Sequence, residues 1–169
     1  MNIFYSVDRK SLLKENHVVE LFKPNISVPL LKPHFDEMFP EGISSFGARF
    51  LLEDKDKLDS SSSRIEMVFE FVRRLNFPNR PSRLQSFYAS MNIDDSISFR
   101  EKHGKPTDTI WKVVCEKYFV ADYNLLNTGP TNLALSYLAK TYWSGGSIDQ
   151  TPFWEALLIP PVTVLERVA

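Results

Sequence analysis

A single acidic residue near the end of the sequence combines features of a reactive carboxylate. Glu155 directly follows Trp154 and precedes the apolar run Ala156-Leu157-Leu158-Ile159. A glutamate at a strand end is most often solvated. Here the apolar neighbours favour burial, and burying an unpaired carboxylate is costly unless the site uses it. A fixed carboxylate can stabilise positive charge that develops on a substrate, so we single out Glu155 as a candidate catalytic residue.

A second group of candidate residues lies in the middle of the chain. Ser86 and Ser90 supply hydroxyl groups, Tyr88 supplies an aromatic ring, and Arg83 supplies a cation that suits phosphate. Each also has an ordinary structural interpretation, as a strand hydroxyl, a core aromatic or a surface charge beside a turn. The residues alone leave both interpretations open.

Motifs of several large enzyme classes are missing from the sequence. It contains no GxGxxG, GxxxxGK[ST], GxSxG or HExxH, which argues against Rossmann, P-loop, α/β-hydrolase and zinc-protease chemistry. Cys115 is the only cysteine, and it lies in an apolar segment where it is expected to pack as a small hydrophobic residue. The three histidines lack metal-ligand spacing. We therefore expect neither a disulfide nor a metal site.

Charge and hydropathy restrict the partners. Twenty basic and twenty-one acidic side chains give a formal net charge of −1, so any contact with nucleic acid must be local. The N-terminus lacks the pattern of a signal peptide, and no segment approaches the ~20 apolar residues of a membrane span. We expect a cytoplasmic protein without a membrane partner. The length of 169 residues predicts a single domain over residues 1–169.

The candidate residues lie on or beside predicted strands. The sequence predicts strands over residues 2–7, near 84–89, over 109–115, and over 154–159 and 162–168, the last two joined by a tight connection at Pro160-Pro161. Residues 23–47, rich in proline and glycine, predict a long irregular loop, and residues 122–127 predict a turn. Strands without regular alternation with helices indicate the α+β class.

Apolar spacing predicts three helices. The first ends near Asn76, with a capping box of Ser63 and Glu66 near its start. The second begins at the N-cap Asn92 and runs to about Lys102. The third ends at Gly145-Gly146, and its predicted face consists of Leu133, Tyr137, Leu138 and Thr141.

Three segments, in this order, resemble the ADP-ribosyltransferase fold family. Ile3-Phe4-Tyr5-Ser6 is similar to the family's opening strand, and Ser86-Phe87-Tyr88-Ala89-Ser90 is similar to its central strand. The segment from Trp154 to Ile159, with Val162-Thr163-Val164-Leu165 after it, is similar to the paired strands that begin with the catalytic Glu. The stretch from Glu70 to Arg83 also resembles a pattern in bacterial and phage proteins tied to this fold. The resemblance implies split antiparallel sheets flanked by helices, with NAD as co-substrate.

The resemblance also implies roles for single residues. Glu155 would stabilise the oxocarbenium-like transition state of NAD cleavage through the ribose 2′-hydroxyl. Tyr88 would stack on nicotinamide, and Ser86 or Ser90 would orient Glu155. The ribose and the pyrophosphate would be held by a set that comprises Tyr5, Ser6, Arg9 and Arg83. Where the family has His or Arg after the aromatic residue of the first strand, this chain has Ser6, so Arg9 is expected to substitute.

The residue at position 153 indicates which kind of group accepts ADP-ribose. Family members that modify arginine carry a second Glu two positions before the catalytic one, and Phe153 stands there in this chain. We therefore expect a macromolecular acceptor other than arginine, with RNA or DNA favoured over protein. A basic cluster in the sequence, which could alternatively grip the pyrophosphate or do neither, supports this expectation; it consists of Arg73, Arg74, Arg80 and Arg83.

The biological setting follows only from the resemblance. A compact chain without an export signal is typical of a toxin from a toxin–antitoxin or phage-defence system, with an antitoxin protein as partner, or of a phage-encoded modifier. The alternative is a catalytically inactive domain of the same fold that binds or interacts. Release of nicotinamide separates the two hypotheses, because an inactive relative can still bind NAD.

Overall fold

The computed structural model describes residues 1–53 and 60–169. Within them the chain forms two antiparallel sheets and five α-helices, which confirms the α+β class. The strands are β1 (Asn2–Asp8), β2 (Val18–Val19), β3 (Phe87–Ala89), β4 (Thr109–Cys115), β5 (Tyr118–Asp122), β6 (Trp154–Leu158) and β7 (Val162–Arg167). The helices are α1 (Lys32–Met38), α2 (Ser45–Leu52), α3 (Ser60–Asn76), α4 (Ile93–His103) and α5 (Asn132–Ser144). No helix of the described residues has the length and apolar character needed to cross a membrane.

The larger sheet has the strand order β1-β4-β7-β2. In β1 the burial alternates, so that Phe4 and Ser6 are buried whereas Tyr5 and Val7 are partly exposed. Alternation of this kind follows from the pleat of a strand, in which successive side chains point to opposite faces. Phe4 therefore packs in the core, whereas Tyr5 and Val7 on the opposite face line a cavity.

The smaller sheet has the strand order β3-β6-β5, with β6 in the centre. The segment Glu155-Ala156-Leu157-Leu158 of β6 is buried throughout, as expected for a strand that is covered on both faces. Ala156 and Leu158 pack towards the larger sheet, whereas Leu157 packs towards α3 and α5. Period-two alternation places Glu155 on the same side as Leu157, where the helices cover the sheet.

The two sheets meet through the backbone of Tyr5 and Ser90. The Tyr5 amide donates to the Ser90 carbonyl over 3.0 Å, and the Ser90 amide donates to the Tyr5 carbonyl over 2.7 Å. Ser96 on α4 adds a hydrogen bond from its Oγ to the Tyr5 carbonyl, at 2.9 Å. The first strand of the chain is thus held beside the end of β3.

Several elements agree with the sequence prediction. Strand β4 has the predicted bounds, and strands occur at each of the other predicted positions. Helix α4 begins after Asn92, whose side chain accepts a hydrogen bond from the Asp95 amide at 2.9 Å. Helix α5 ends at Gly145, which has the left-handed conformation expected of a C-terminal glycine (φ 79°).

The predicted loop over residues 23–47 is wrong, because α1 and the start of α2 lie within it. Pro33 is tolerated in the first turn of α1, where its missing N–H would have no helical partner. Gly47 is required for packing, since a Cβ there would collide with the Leu84 carbonyl. Proline and glycine thus mark helix starts and a close approach in this segment.

The predicted capping box is also wrong. Helix α3 already includes Ser60, so Ser63 and Glu66 lie inside it, and the Glu66 carboxylate accepts hydrogen bonds from Arg83. In α5 the predicted face is only partly buried, because Leu133 is 80% exposed and Tyr137 is 59% exposed. The buried face of α5 instead consists of Leu135, Leu138, Ala139, Tyr142 and Trp143.

Two features of the strands differ from the prediction. Strand β5 was not predicted, because only two residues separate it from β4 and no turn signal marks the boundary. Strands β6 and β7 follow one another across the cis peptide bond between Pro160 and Pro161 but belong to different sheets. The expected pairing of these two strands is therefore wrong.

Glu70 is a buried carboxylate that fastens the end of α3 to the segment after it. Arg73 donates two hydrogen bonds to the two Glu70 oxygens, over 3.0 and 2.8 Å. Arg74 and Ser82 each donate one more, over 2.7 and 2.8 Å. Burial alone would raise the pKa of Glu70, but the hydrogen bonds and the charge of Arg73, with Ser82 and Arg74, outweigh it and lower that pKa.

Replacement of Glu70 by Gln is expected to destabilise the fold by about 3 kcal/mol, because it leaves two arginines without their carboxylate. Urea denaturation at pH 7 measures the difference. Because the pKa of Glu70 is lowered, its stabilising effect is complete above the ordinary range of a glutamate and is lost as the pH falls through the lowered value. The difference in free energy of unfolding between wild type and Glu70→Gln should therefore become smaller at acidic pH.

The matched control is Glu166→Gln, which removes an exposed ion pair with Lys112 on the larger sheet. It should cost less than about 1 kcal/mol. Equal destabilisation by both substitutions would contradict the role given to Glu70.

Candidate functional site

A cavity of about 170 Å³ opens where β1, β3 and β6 approach one another. Apolar side chains of α2 and α3, among them Phe46 and Ile65, form part of its wall. The groups that bring chemistry to its surface are Tyr5, Glu66, Arg83, Tyr88 and Glu155. A cavity of about 150 Å³ holds one six-membered ring, so a ring-sized group can enter beside these side chains.

Glu155 carries the buried carboxylate of this cavity and is 7% exposed. Its Oε1 accepts a hydrogen bond from Arg83 at 2.5 Å and another from the Tyr142 hydroxyl at 2.8 Å. No donor among the described residues bonds to its Oε2. Burial raises the pKa of Glu155, although Arg83 and Tyr142 act in the opposite direction. Oε1 is therefore held by two donors, whereas Oε2 accepts no hydrogen bond from the described residues.

Arg83 is the buried cation that fixes Glu155. Its Nε and Nη2 donate to Glu66 over 3.0 to 3.1 Å, and its Nη1 donates to Glu155 and to the Tyr142 hydroxyl. The guanidinium carbon also lies 4.7 Å from the ring centre of Tyr88. One cation thus faces two carboxylates, and the charge of Glu66 contributes to the raised pKa of Glu155.

The position of Arg83 follows from the local chain. It begins a 3-10 turn, Arg83–Gln85, after Ser82, whose side chain accepts a hydrogen bond from the Leu84 amide. Ser82 is itself held by Glu70, and the Tyr88 hydroxyl donates to the Arg83 carbonyl at 2.8 Å. The network at the end of α3 therefore aims Arg83 at the cavity.

The structure brings together six of the eight residues predicted for the site. Those that line the cavity are Tyr5, Arg9, Arg83, Tyr88, Ser90 and Glu155. Ser6 and Ser86 do not line it: Ser6 Oγ donates to the Tyr88 carbonyl at 2.9 Å, and Ser86 Oγ donates to the Ser82 carbonyl at 2.7 Å.

Two of the predicted roles are wrong. Neither Ser86 nor Ser90 donates a hydrogen bond to Glu155 in the described structure, where Arg83 and Tyr142 do so instead. Arg83 is also not a free cation for pyrophosphate, because Glu66 and Glu155 already neutralise it. The role of orienting the carboxylate thus belongs to Arg83 and Tyr142 and not to the two serines.

The four arginines expected to bind phosphate are engaged by other groups of the protein. Arg73 and Arg74 bind Glu70. Arg80 donates to the Trp143 carbonyl over 3.3 Å and lies 4.4 Å from the ring centre of Phe119. With Arg83 also buried among carboxylates, the interpretation of these four residues as a phosphate-binding surface is wrong.

Glu66 and Tyr142 are functional candidates that sequence reasoning missed. Glu66 and Glu70 lie one turn apart on a helix face that also carries the core residues Ile65 and Phe69. Two carboxylates on a buried helix face require cationic partners from other parts of the chain. That requirement was the signal in the sequence that could have identified Glu66. The prediction of Tyr142 as a packing group is confirmed, since its ring lies 5.3 Å from that of Phe69, but its hydroxyl also bonds to Glu155.

A second cavity of about 210 Å³ adjoins the first. Ser6 and Phe87 line only the second cavity, whereas Val7, Arg9, Phe46 and Arg49 line both. Neither Arg9 nor Arg49 forms an ion pair with a carboxylate in residues 1–53 and 60–169. Two cations without carboxylate partners therefore stand where the cavities join.

The described part of the chain offers no group of three or more His, Cys, Asp or Glu side chains that could hold a metal ion. Residues 36–169 match the family described as "Protein of unknown function (DUF2441)". No curated protein matches the sequence. The matched region spans more than half of the chain and includes Arg83, Tyr88, Tyr142 and Glu155.

Replacement of Glu66 by Gln is expected to lower the pKa of Glu155, because it removes a neighbouring negative charge while it keeps the shape of the side chain. Carboxyl ¹³C resonances of glutamate-labelled protein measure this pKa, and the Glu155→Gln variant assigns the signal. As a control, Glu101→Gln on α4 should leave the Glu155 titration in place. A Glu155 titration that is the same in Glu66→Gln and wild type would contradict the coupling.

Proposed function

The chain belongs to the DUF2441 family, and we propose that it is an ADP-ribosyltransferase that cleaves NAD and transfers ADP-ribose to a macromolecular acceptor. One observation carries the proposal: Tyr5, Tyr88 and Glu155, which lie on three different strands, line one ring-sized cavity. The family resemblance predicts this meeting of residues, and a Glu155 remote from Tyr88 would have ruled it out.

The chemistry of NAD cleavage suits the buried carboxylate. The bond from the ribose C1′ to the nicotinamide nitrogen breaks, the electron pair leaves with nicotinamide, and positive charge develops on the ribose. Glu155 Oε2 can accept a hydrogen bond from the ribose 2′-hydroxyl, and that bond strengthens as the charge develops. The acceptor then attacks C1′, and it loses its proton to water.

Arg83 and Tyr142 prepare Glu155 for this role. Both bond to Oε1, so the carboxylate is oriented before the substrate arrives and needs no reorganisation during the reaction. The ring of Tyr88 is held by the bond from its hydroxyl to the Arg83 carbonyl and faces the same cavity, where it can stack on nicotinamide. Arg83 and Tyr142 act through Glu155 and are positioning residues.

The two adjoining cavities suit a dinucleotide. NAD has two ring-bearing halves joined by a diphosphate, and the chain offers two cavities of about 170 and 210 Å³. Arg9 and Arg49 line both, and guanidinium groups bind phosphate oxygens well. We place the nicotinamide ribose in the first cavity, the adenosine in the second, and the diphosphate at the two arginines.

The fold is compatible with the proposal at a coarse level. Two antiparallel sheets flanked by helices agree with the architecture that the resemblance implies. Ser6 stands where the family has a cation, and its hydroxyl is occupied by the Tyr88 carbonyl. Arg9 and Arg49 supply the positive charge in its place.

Replacement of Glu155 by Gln is expected to reduce nicotinamide release from NAD by about 10²- to 10³-fold, because the amide cannot offset the charge on the ribose. The same change should raise the free energy of unfolding at pH 7 by roughly 1 kcal/mol, since it leaves Arg83 and Glu66 as a neutral pair. Chromatographic assay of nicotinamide and urea denaturation measure the two effects.

Equal nicotinamide release by wild type and Glu155→Gln would overturn the assignment. Binding of NAD by wild type without any release would favour the alternative, an inactive domain of the same fold.

In wild type kcat/KM should fall as the pH is lowered through the pKa of Glu155, because the reaction needs the ionised carboxylate. Burial raises that pKa, so the loss should begin above the ordinary range of a glutamate.

Replacement of Arg49 by Gln is expected to raise KM for NAD about tenfold with a smaller change in kcat, because the diphosphate is bound alike in the ground and transition states. Steady-state kinetics measure the changes in KM and kcat separately. Arg167→Gln, which removes an exposed cation that lines neither cavity, is the matched control. A normal KM in Arg49→Gln would show that the diphosphate does not lie between the cavities.

A further inference from the structure

A cluster of aromatic side chains lies at one side of the first cavity. Phe99, Tyr123 and Phe153 all line it, and all three are partly exposed. The rings of Phe99 and Phe153 are nearly parallel, with centres 6.3 Å apart. Tyr123 meets both edge-on, with ring centres 5.4 Å from Phe99 and 6.1 Å from Phe153. We call Phe99, Tyr123 and Phe153 the aromatic platform.

The platform has positive charge beside it. The guanidinium carbon of Arg9 lies 5.7 Å from the ring centre of Phe99, and Lys102 Nζ lies 5.1 Å from that of Phe153. The pKa of the neighbouring His103 is lowered by partial burial and by the charges of Arg9 and Lys102. Arg9 and Lys102 therefore place two positive charges at this edge, although the whole chain carries a formal net charge of −1.

The platform is close to the reacting carbon in the proposed reaction. Phe153 lies two residues before Glu155, and both side chains line the first cavity. A ring stacked on the platform would approach the ribose that Glu155 stabilises. No carboxylate stands at Phe153 to activate a strongly basic acceptor.

Partly exposed rings next to cations suit a ligand that is planar and aromatic and carries negative charge. A nucleobase of a single strand has both properties, because its π-face is free to stack and its backbone is anionic. In a duplex the faces are already stacked, and a near-neutral protein gains little from a long row of phosphates. Hydroxyl and carboxylate side chains of proteins would gain little from three aromatic rings.

We propose that the aromatic platform binds a nucleobase of single-stranded RNA or DNA, and that this base is the acceptor of ADP-ribose. The identity of the acceptor rests on the proposed function. In the transfer an exocyclic amine forms a bond to the ribose C1′, nicotinamide leaves with the electron pair of the broken bond, and the amine loses a proton to water. Lys102, beside the Phe153 ring, holds a neighbouring phosphate of the strand, because Arg9 is already assigned to the diphosphate of NAD.

Fluorescence anisotropy with fluorescein-labelled ten-nucleotide strands tests the binding directly, without NAD. Mixed-sequence single-stranded RNA and DNA and the corresponding duplexes are titrated at 50 and 200 mM salt. We expect at least one single strand to bind more tightly than its duplex and to lose affinity at the higher salt. Phe153→Leu should weaken this binding about tenfold, and Lys102→Gln should reduce its dependence on salt.

The matched controls are Phe71→Leu and Lys140→Gln, which replace the same residue types at exposed positions on α3 and α5. Both should bind like wild type. Absence of binding to every strand at 50 mM salt would overturn the proposal. So would equal affinity of Phe153→Leu and wild type, since the platform would then not be the site.

A second measurement separates this inference from the proposed function. Wild type is incubated with labelled NAD and the strand that binds best, and both nicotinamide release and label on the strand are followed. Nicotinamide release with label only on protein would overturn the nucleic-acid acceptor and leave the transferase intact. Binding that depends on Phe153, without nicotinamide release, would support the platform as a binding site and overturn the proposed reaction.

Discussion

The site depends on one buried cation, the guanidinium of Arg83, held between Glu66 and Glu155. Two carboxylates that share one cation leave an excess of negative charge in a buried site with little access to water, and that arrangement is costly. The remaining features reduce the cost. Tyr142 donates a hydrogen bond to Glu155, and the rings of Tyr88 and Tyr142 flank the guanidinium. A fold selected for stability alone would avoid such a cluster, and its presence next to a cavity is typical of a site that uses the charge.

Five arginines at or near the site fall into two groups, according to whether a buried carboxylate pairs with them. Arg73, Arg74 and Arg83 bind buried carboxylates and act as structural or positioning groups. Arg9 and Arg49 have no such partner in the described residues and line the cavities. The first group is close together in sequence, whereas Arg9 and Arg49 are separated by β2, α1 and the start of α2. Proximity along the chain was therefore a poor guide to which arginines lack a carboxylate partner.

The sequence predicts those parts of the fold that depend on local physics. Alternation and apolar runs locate most strands, the side chain of Asn92 locates the start of α4, and the apolar run after Glu155 indicates that this carboxylate is buried. The partners of Glu155 were not predictable in the same way, because Arg83 is 72 residues away and Tyr142 is 13 residues away. Side chains that meet across such separations leave no periodic signal. Proline and glycine misled the prediction in residues 23–47, where they serve a helix start and a close contact.

Gly47 allows α2, which lines both cavities, to pack closely against the segment that positions Arg83. The absence of a side chain there lets α2 rest against the Leu84 carbonyl, which also accepts hydrogen bonds from the Ser44 amide and hydroxyl, at 3.0 and 3.2 Å. Leu84 is the residue after Arg83, and α2 carries Phe46 and Arg49. The helix that lines both cavities thus packs directly against the residue that follows Arg83, the side chain that orients Glu155. A side chain at residue 47 would collide with the Leu84 carbonyl, so it would separate α2 from this segment and change the wall of both cavities at once.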